Sequence, residues 1–471
     1  MKKITFALLC LSTQLMFGQT PVGFYPTSPA SGLQFGSKVA SFNNNVLVAS
    51  NSFAPMSQTG KTYLFNLDGS NLVQTNVFYP SDALISDSFG KSISLNDEFI
   101  AIGSPFHDAN FENSGAVYIY RKVAGNWTFI QKIMASDATL NSQFGTFVKI
   151  HNNQLFISSI NYQNANQDPN SNFGKVYVYF FSGTEWTQSQ TLATTETFKF
   201  GEKIEFENNK LVVLSRQNTD QFSARFHTYN FDGTTWSFQN STQTFGSIQD
   251  KITDYSLSGN QLFITSNGMS GNKVSIYDVT NGNWNFTNSI NQTQFSDQVF
   301  TRLEVENDNM FIGSSEYILQ IERKFPLIHY KKIDGSWVYQ NAFYGNGPSA
   351  NDDYFGSELA LSGNKLIIGA PQEGAVMNFG KTYFLDTTLG IEEFSTSKTI
   401  VYPNPTKDLI YFHNNFEDIN SVDIYSITGK LLLTKNGNSN QLSLRDLASG
   451  IYFLRVNFSK NLTQTIKIIK E

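Results

Sequence analysis

One unit of about fifty residues recurs seven times along this chain, which leaves few folds open to it. Phe-Gly opens the unit at Phe35-Gly36, Phe89-Gly90, Phe144-Gly145, Phe200-Gly201 and Phe355-Gly356. Phe300-Thr301 opens a related segment. The likeness of YSLSGNQLFITS to LALSGNKLIIGA sets a further start at Lys251-Ile252, with Phe245-Gly246 competing for the same role. Each unit then runs through the same parts. A first strand ends in a polar turn such as Asn152-Asn153 or Gly363-Asn364. A nearly all-apolar second strand follows (FIAIGS, LFISSI, LVVLS), then an alternating third (AVYIYR, KVYVYF, KVSIYD) and a short Gly turn into a fourth.

Four strands per repeat of this length describe a propeller blade. The five tryptophans, Trp127, Trp186, Trp236, Trp284 and Trp337, all stand at the start of a fourth strand. One large ring per unit at one position reads as packing between adjacent blades rather than as a sugar-binding stripe. The seventh repeat stops after its third strand near Asp386, while Phe24-Tyr25-Pro26-Thr27 precedes the first repeat unused. Tyr25 lies as far before Phe35 as Tyr79 lies before Phe89. The N-terminal segment is therefore expected to supply the missing fourth strand of the last blade, closing the ring and leaving no open sheet edge. The expected fold class is all-β, a seven-bladed β-propeller followed by a small Ig-like β-sandwich. The repeats resemble the FG-GAP propeller family, related to the integrin α head, over residues 24–388 and most closely from Phe89 to Phe144. Gly369-Ala370-Pro371 and its near copy Gly103-Ser104-Pro105 belong to that resemblance. Integrin-type repeats hold calcium on Asp-x-Asp-x-Asp-Gly loops. The matching turns here are too short and lack the carboxylates, so no metal is expected.

Both ends differ from the repeats. MKKITFALLCLSTQLMFGQT has a basic start, an apolar stretch over 4–17 and a small Gly18, the pattern of a signal peptide covering residues 1–18. Cys10, the only cysteine, falls inside it, so the mature chain would have no disulfide. Beyond residue 388 come IVYPNPTKDLIYF, SVDIYSITGKLLL, NQLSLRDLASGIYFLRV and TQTIKIIKE, short alternating strands between turn residues. Tyr402-Pro403-Asn404-Pro405, Gly429-Lys430 and Gly450-Ile451-Tyr452 within them resemble the type IX secretion C-terminal sorting domain of Bacteroidetes. That resemblance implies export through the outer membrane by the type IX machinery. It also implies removal of the domain by a sortase-like peptidase, then release or attachment at the cell surface. The expected domains are thus 1–18, a propeller over 19–388 and a sorting domain over 389–471. The body between the ends keeps 22 basic and 31 acidic residues, net −9, which argues against nucleic acid as a partner.

No catalytic constellation stands out. Asp232-Gly233-Thr234-Thr235-Trp236 has the wrong register for a sialidase signature, and the body's five arginines are scattered over different parts of the repeat. No histidine pair has metal-ligand spacing, and no phosphate loop or nucleophile elbow is present. We therefore expect no catalytic residue and no cofactor. In an up-and-down blade the long b–c and d–a connections share one face, here 104–114, 135–143, 161–172, 346–353 and 371–378. Function is usually placed on such loops. The ligand-binding candidates are Phe106, His107, Asp108, Glu112, Tyr162, Asp168, Asp352, Asp353, Tyr354 and Glu373. Amide and carboxylate groups beside aromatic rings suit a glycan or a surface protein. The expected function is a secreted, non-catalytic adhesion module. The alternative is a carbohydrate-active hydrolase or lyase, which would need carboxylates converging at the central opening.

Overall fold

The computed structural model describes residues 21–27, 33–52, 59–69, 71–162, 173–195, 197–216, 224–243, 250–268, 271–280, 283–292, 299–314, 326–345, 354–372, 380–387, 400–413, 419–427, 429–437, 441–458 and 463–471. The chain divides into two compact units, Met1–Gly390 and Ile391–Glu471. Among the described residues no helix is long and apolar enough to cross a membrane.

Among the described residues the first unit has seven four-stranded antiparallel sheets. Their first strands are Leu33–Phe42, Ser92–Leu95, Phe144–His151, Ile204–Glu207, Asp250–Ser258, Phe300–Glu306 and Glu358–Ser362. Each touches the first strand of the next sheet, and the seventh returns to the first, which makes a closed ring of blades around a channel. Blade 5 starts at Asp250, in agreement with the start at Lys251-Ile252. Blade 7 has three consecutive strands, and Val22–Phe24 pairs antiparallel with Lys381–Asp386 as its fourth. Phe24 stands opposite Thr382 just as Phe78 stands opposite Thr62 in blade 1. The N-terminal strand thus closes the ring as its register in the sequence implies.

The Phe-Gly signature has a packing reason. The phenylalanine is buried and meets, edge-on, the ring at one fixed position of the third strand. The pairs are Phe35–Tyr63, Phe89–Tyr118, Phe144–Tyr177, Phe200–His227 and Phe355–Tyr383, with centroids 5.0 to 5.6 Å apart. The glycine follows in a conformation that L side chains rarely adopt, as at Gly145 with φ +93°. In blades 1 and 3 the ladder to the second strand slips at this point, a bulge that turns the chain into the first strand.

The tryptophans pack onto the preceding blade. Trp186 lies edge-on to Phe99, and Trp236 does the same with Phe156 while its indole N–H donates to Gln154 Oε1 at 2.9 Å. Trp284 Nε1 donates to Thr228 Oγ1 at 2.8 Å. These three are buried, at 2%, 2% and 7% exposure, whereas Trp127 and Trp337 are only half-buried. At two of these interfaces a glutamine adds a pair of hydrogen bonds. Gln131 bridges the backbone N–H and C=O of Trp186, and Gln190 those of Trp236.

The second unit is a small sandwich. Ile400–Tyr402, Leu409–His413 and Gln441–Ser443 form one sheet. Leu431–Asn436, Ile419–Ser426, Gly450–Phe458 and Thr463–Lys470 form the other. Ile410, Phe412 and Leu442 from the first sheet and Val422, Ile424, Leu454, Val456 and Ile468 from the second share one core.

Candidate functional site

The meander puts the b–c and d–a connections on one face of the ring, and around blade 2 that face is stitched into a platform. Asn141 N–H donates to Glu112 O, Gln143 N–H to Asn113 O and Phe144 N–H to Ser114 O, so loop 104–114 is zipped to loop 135–143. Asn113 Nδ2 adds a bond to Asn141 Oδ1, and Asp108 Oδ1 accepts the Asn113 N–H at 2.8 Å to close the first loop on itself.

His107 lies beneath this platform, 7% exposed, rather than on it. Its carboxylate neighbour is Asp87, from the d–a loop, and not Asp108 or Glu112. Asp87 Oδ2 lies 2.6 Å from His107 Nδ1, and Lys132 Nζ lies 2.6 Å from Nε2. A neutral imidazole protonated at Nδ1 satisfies both contacts, donating to Asp87 and accepting from Lys132. Lys132 also donates to Asp82 Oδ2 at 2.8 Å, and Tyr118 Oη donates to Asp82 Oδ1 at 3.0 Å. Partial burial alone would raise Asp82, but Lys132 and Tyr118 outweigh it and hold the carboxyl below its usual range.

Blade 3 repeats the device. Asp137 stands before Phe144 as Asp82 stands before Phe89. It accepts from Lys175 Nζ at 2.6 Å and from Tyr177 Oη at 2.7 Å. It too lies below the usual carboxylate range: burial opposes this, and Lys175 and Tyr177 prevail. Tyr162 joins here, with Lys175 Nζ 3.4 Å from its ring centroid. Leu84, Ile85, Phe111 and Leu140, all more than half exposed, lie in the same loops.

Of the other candidates, Phe106 is half-buried with its N–H on Asp87 O, and Glu112 is exposed. Tyr354 is half-buried, at φ +56° just before Phe355. Asp168, Asp352, Asp353 and Glu373 lie outside the described residues. Asp82, Asp87, Tyr118 and Lys132 were not among the candidates. The recurrence of Asp seven residues before Phe-Gly was the available signal for Asp82.

The channel holds carboxylates as well, interleaved with cations from the first strands. Glu358 of blade 7 is paired with Lys38 of blade 1 and with Arg302 of blade 6. Lys203, just before the first strand of blade 4, reaches Asp254 of blade 5 at 2.8 Å and Glu205 of that first strand at 3.3 Å, and Glu205 lies 3.6 Å from Lys149 of blade 3. Asp254 Oδ2 accepts the Leu303 N–H of blade 6.

In the sandwich, the motif residues at 402–405, 429–430 and 450–452 serve the fold. Tyr402 pairs with Tyr411, and Pro403 leads out of that strand to Asn404, whose amide donates to Lys467 O and accepts from Ile469 N–H. Pro405 precedes Thr406, whose N–H binds Ile469 O. Gly429, at φ +80°, and Lys430 make the tight turn on Ser426. Gly450 opens the central strand, and Tyr452 Oη donates to Ala448 O at 2.7 Å.

The family described as the secretion system C-terminal sorting domain matches residues 400–471. The chain carries a type IX sorting domain. The FG-GAP repeat family matches 72–120 and 127–179, which are parts of blades 1 to 3. The protein is therefore exported by type IX secretion to the cell surface or the extracellular space. No curated protein sequence matches it. Among solved structures, it is similar to PorZ, an essential bacterial surface component of the type-IX secretion system of Porphyromonas gingivalis. The identity is 12%, the match covers 92% of this chain and 70% of that one, and the TM-score is 0.38. The periplasmic gluconolactonase PpgL of Pseudomonas aeruginosa matches at 13% identity over 69% of this chain and 95% of that one, with a TM-score of 0.46. The WD40 domain of Toxoplasma gondii coronin matches at 8% identity over 78% and 87%, also at 0.46.

Proposed function

We propose that the propeller is a secreted or surface-displayed adhesion module. It does no chemistry and holds a glycan or a surface protein on the long-loop face of blades 2 and 3. The observation that carries this reading is the paired Asp–Tyr–Lys device, Asp82–Tyr118–Lys132 and Asp137–Tyr177–Lys175, set among exposed apolar side chains on zipped loops. A rigid surface that presents fixed charges and aromatic edges binds with little ordering cost. Three of the channel carboxylates support the same reading, since Glu358, Glu205 and Asp254 are committed to cations and to neighbouring blades.

The test is a panel of polysaccharides and glycoproteins presented to the secreted protein, scored for retention and for product release. Retention without release is expected. Asp82→Asn, Asp137→Asn and Phe111→Ala should each weaken it by about tenfold, as for contacts near the centre of an interface. Release of product would favour the hydrolase or lyase instead. Retention unchanged in all three variants would move the ligand off this face.

A further inference from the structure

The blade 3–4 boundary shows how this ring seals an interface. Phe231 stacks on Trp236 at 5.0 Å and 29°, and Phe180 lies stacked against Phe231 at 6.1 Å and 26°. The two phenylalanines plug the boundary and leave Trp236 2% exposed. The blade 5–6 boundary keeps the frame and loses the plug. Gln261, Phe263 and Trp337 match Gln154, Phe156 and Trp236 in register, and Trp337 meets Phe263 edge-on at 5.5 Å. The Phe180 position, opposite the glutamine, is Asp278 here, and the Phe231 position, opposite the tryptophan, is Lys332. Gln261 has turned to them, donating to Asp278 Oδ1 at 2.8 Å and accepting from Lys332 Nζ at 3.4 Å. The Trp337 indole N–H, bonded at the equivalent position of blade 4, has no partner among the described residues. Where the plug stood there is a cleft of about 450 Å³, walled by Trp337 and lined by Gln261, Asp278, Lys332, Asn288 and Ser289.

We infer that this cleft is a binding site for a neutral saccharide unit. Lys332 Nζ lies 5.8 Å from the centroid of the Trp337 ring, so a sugar ring would set its C–H groups on the part of the half-buried indole that the ammonium leaves open, with the N–H as a polar handle. The amide, carboxylate and ammonium groups beside it donate to and accept from hydroxyls, and the two charged groups of the lining, Asp278 and Lys332, are of opposite sign. The volume is within the range of small-molecule sites. At Gln261 and Lys332 the cleft meets a second cavity of about 740 Å³ at the channel mouth, lined by Glu207, Glu304 and Glu306, which gives room for more than one sugar. The site is on the short-turn face, beside Gly259-Asn260 and Gly335, opposite the face proposed for adhesion and independent of it.

The experiment titrates the secreted protein with the neutral trisaccharides cellotriose, maltotriose and chitotriose to about 10 mM, well into the weak range of affinities. It is read by tryptophan fluorescence and calorimetry. Saturable binding of at least one is expected, weakened about tenfold or more by Trp337→Ala. Trp127→Ala should leave it unchanged, because Trp127, the other half-buried tryptophan and likewise beside a lysine, Lys122, lines neither of these two cavities. Since losing an indole could unsettle blade 6, the second variant is Asp278→Phe with Lys332→Phe, which rebuilds the blade 3–4 plug. It should abolish binding and keep the thermal midpoint. No binding by any of the three sugars, or binding that survives the plugged variant, overturns the inference. So does loss of trisaccharide binding in Asp82→Asn, which would place the sugar on the other face. Failure of the long-loop variants in the adhesion assay leaves this result untouched.

Discussion

At the scale of single residues, the two ends of the repeat signature are one contact. A Cβ on Gly103, in the second strand of blade 2, would lie 2.1 Å from Gly145 O in the Phe-Gly of blade 3. The same approach recurs at Gly313 toward Gly356 O at 2.0 Å and at Gly369 toward Gly36 O at 2.3 Å. The glycines therefore set how closely neighbouring blades approach. Gly145→Ala combines an unfavourable φ with a Cβ 2.7 Å from Ala116 O, whereas Gly125→Ala has a similar φ of +85° and nothing within 4 Å. Urea unfolding should place Gly145→Ala below Gly125→Ala by about 1–3 kcal/mol, the cost of overpacking. Equal losses would mean that blade spacing does not depend on this contact. The glycines were legible because a backbone requirement repeats with the unit. His107 was legible as unusual but not in its role. Its partners Asp87 and Lys132 lie 20 and 25 residues away, and only the packing of a loop against a fourth strand brings them together.

At the scale of elements, strand order and ring closure follow from periodicity, while the channel network does not. Each of its inter-blade ion pairs joins strands roughly one or more repeats apart, where sequence spacing carries no signal. The tryptophans show the intermediate case. The residue opposite each one decides whether it is sealed, and that residue is Phe181, Phe231 or Val279 at the buried three and Lys122 or Lys332 at the half-buried two. The distinction was visible five residues upstream of every tryptophan. The first strands also give the ring a pH response. Burial raises Glu304 to about 8, with Glu205 and Asp254 adding to the effect against Lys203 and Lys149. The folded state then holds a proton that an unfolded glutamate releases near pH 4.3, so this group's contribution falls as pH rises from there through about 8. His227 and His329 act the other way. Burial lowers them to about 3 and about 4, and each loses stability as pH drops from 6.5 through those values. The thermal midpoint should therefore be highest near neutrality and lower at about pH 9. Glu304→Gln should remove the alkaline fall and keep the acid one. An alkaline slope identical in both proteins would assign it to another group.

At the scale of the whole molecule, stability and export are divided between the two units. The ring is completed by Val22–Phe24, and none of its sheets includes a strand from Ile391–Glu471. With Cys10 its only cysteine, the described body is held by burial and inter-blade contacts rather than by disulfides. The sandwich has its own core of Ile410, Val422, Ile424, Leu454 and Val456, as an independent address label requires. Deleting 391–471 should therefore change location and not fold. Cell fractionation should find the truncated chain behind the outer membrane and the full chain outside it, while the two bodies melt at the same temperature. A truncated body that still reaches the medium would show that export does not depend on the sorting domain. A truncated body that melts early would show that the propeller leans on the sandwich, and a propeller whose closing strand comes from its own N-terminus has no need to.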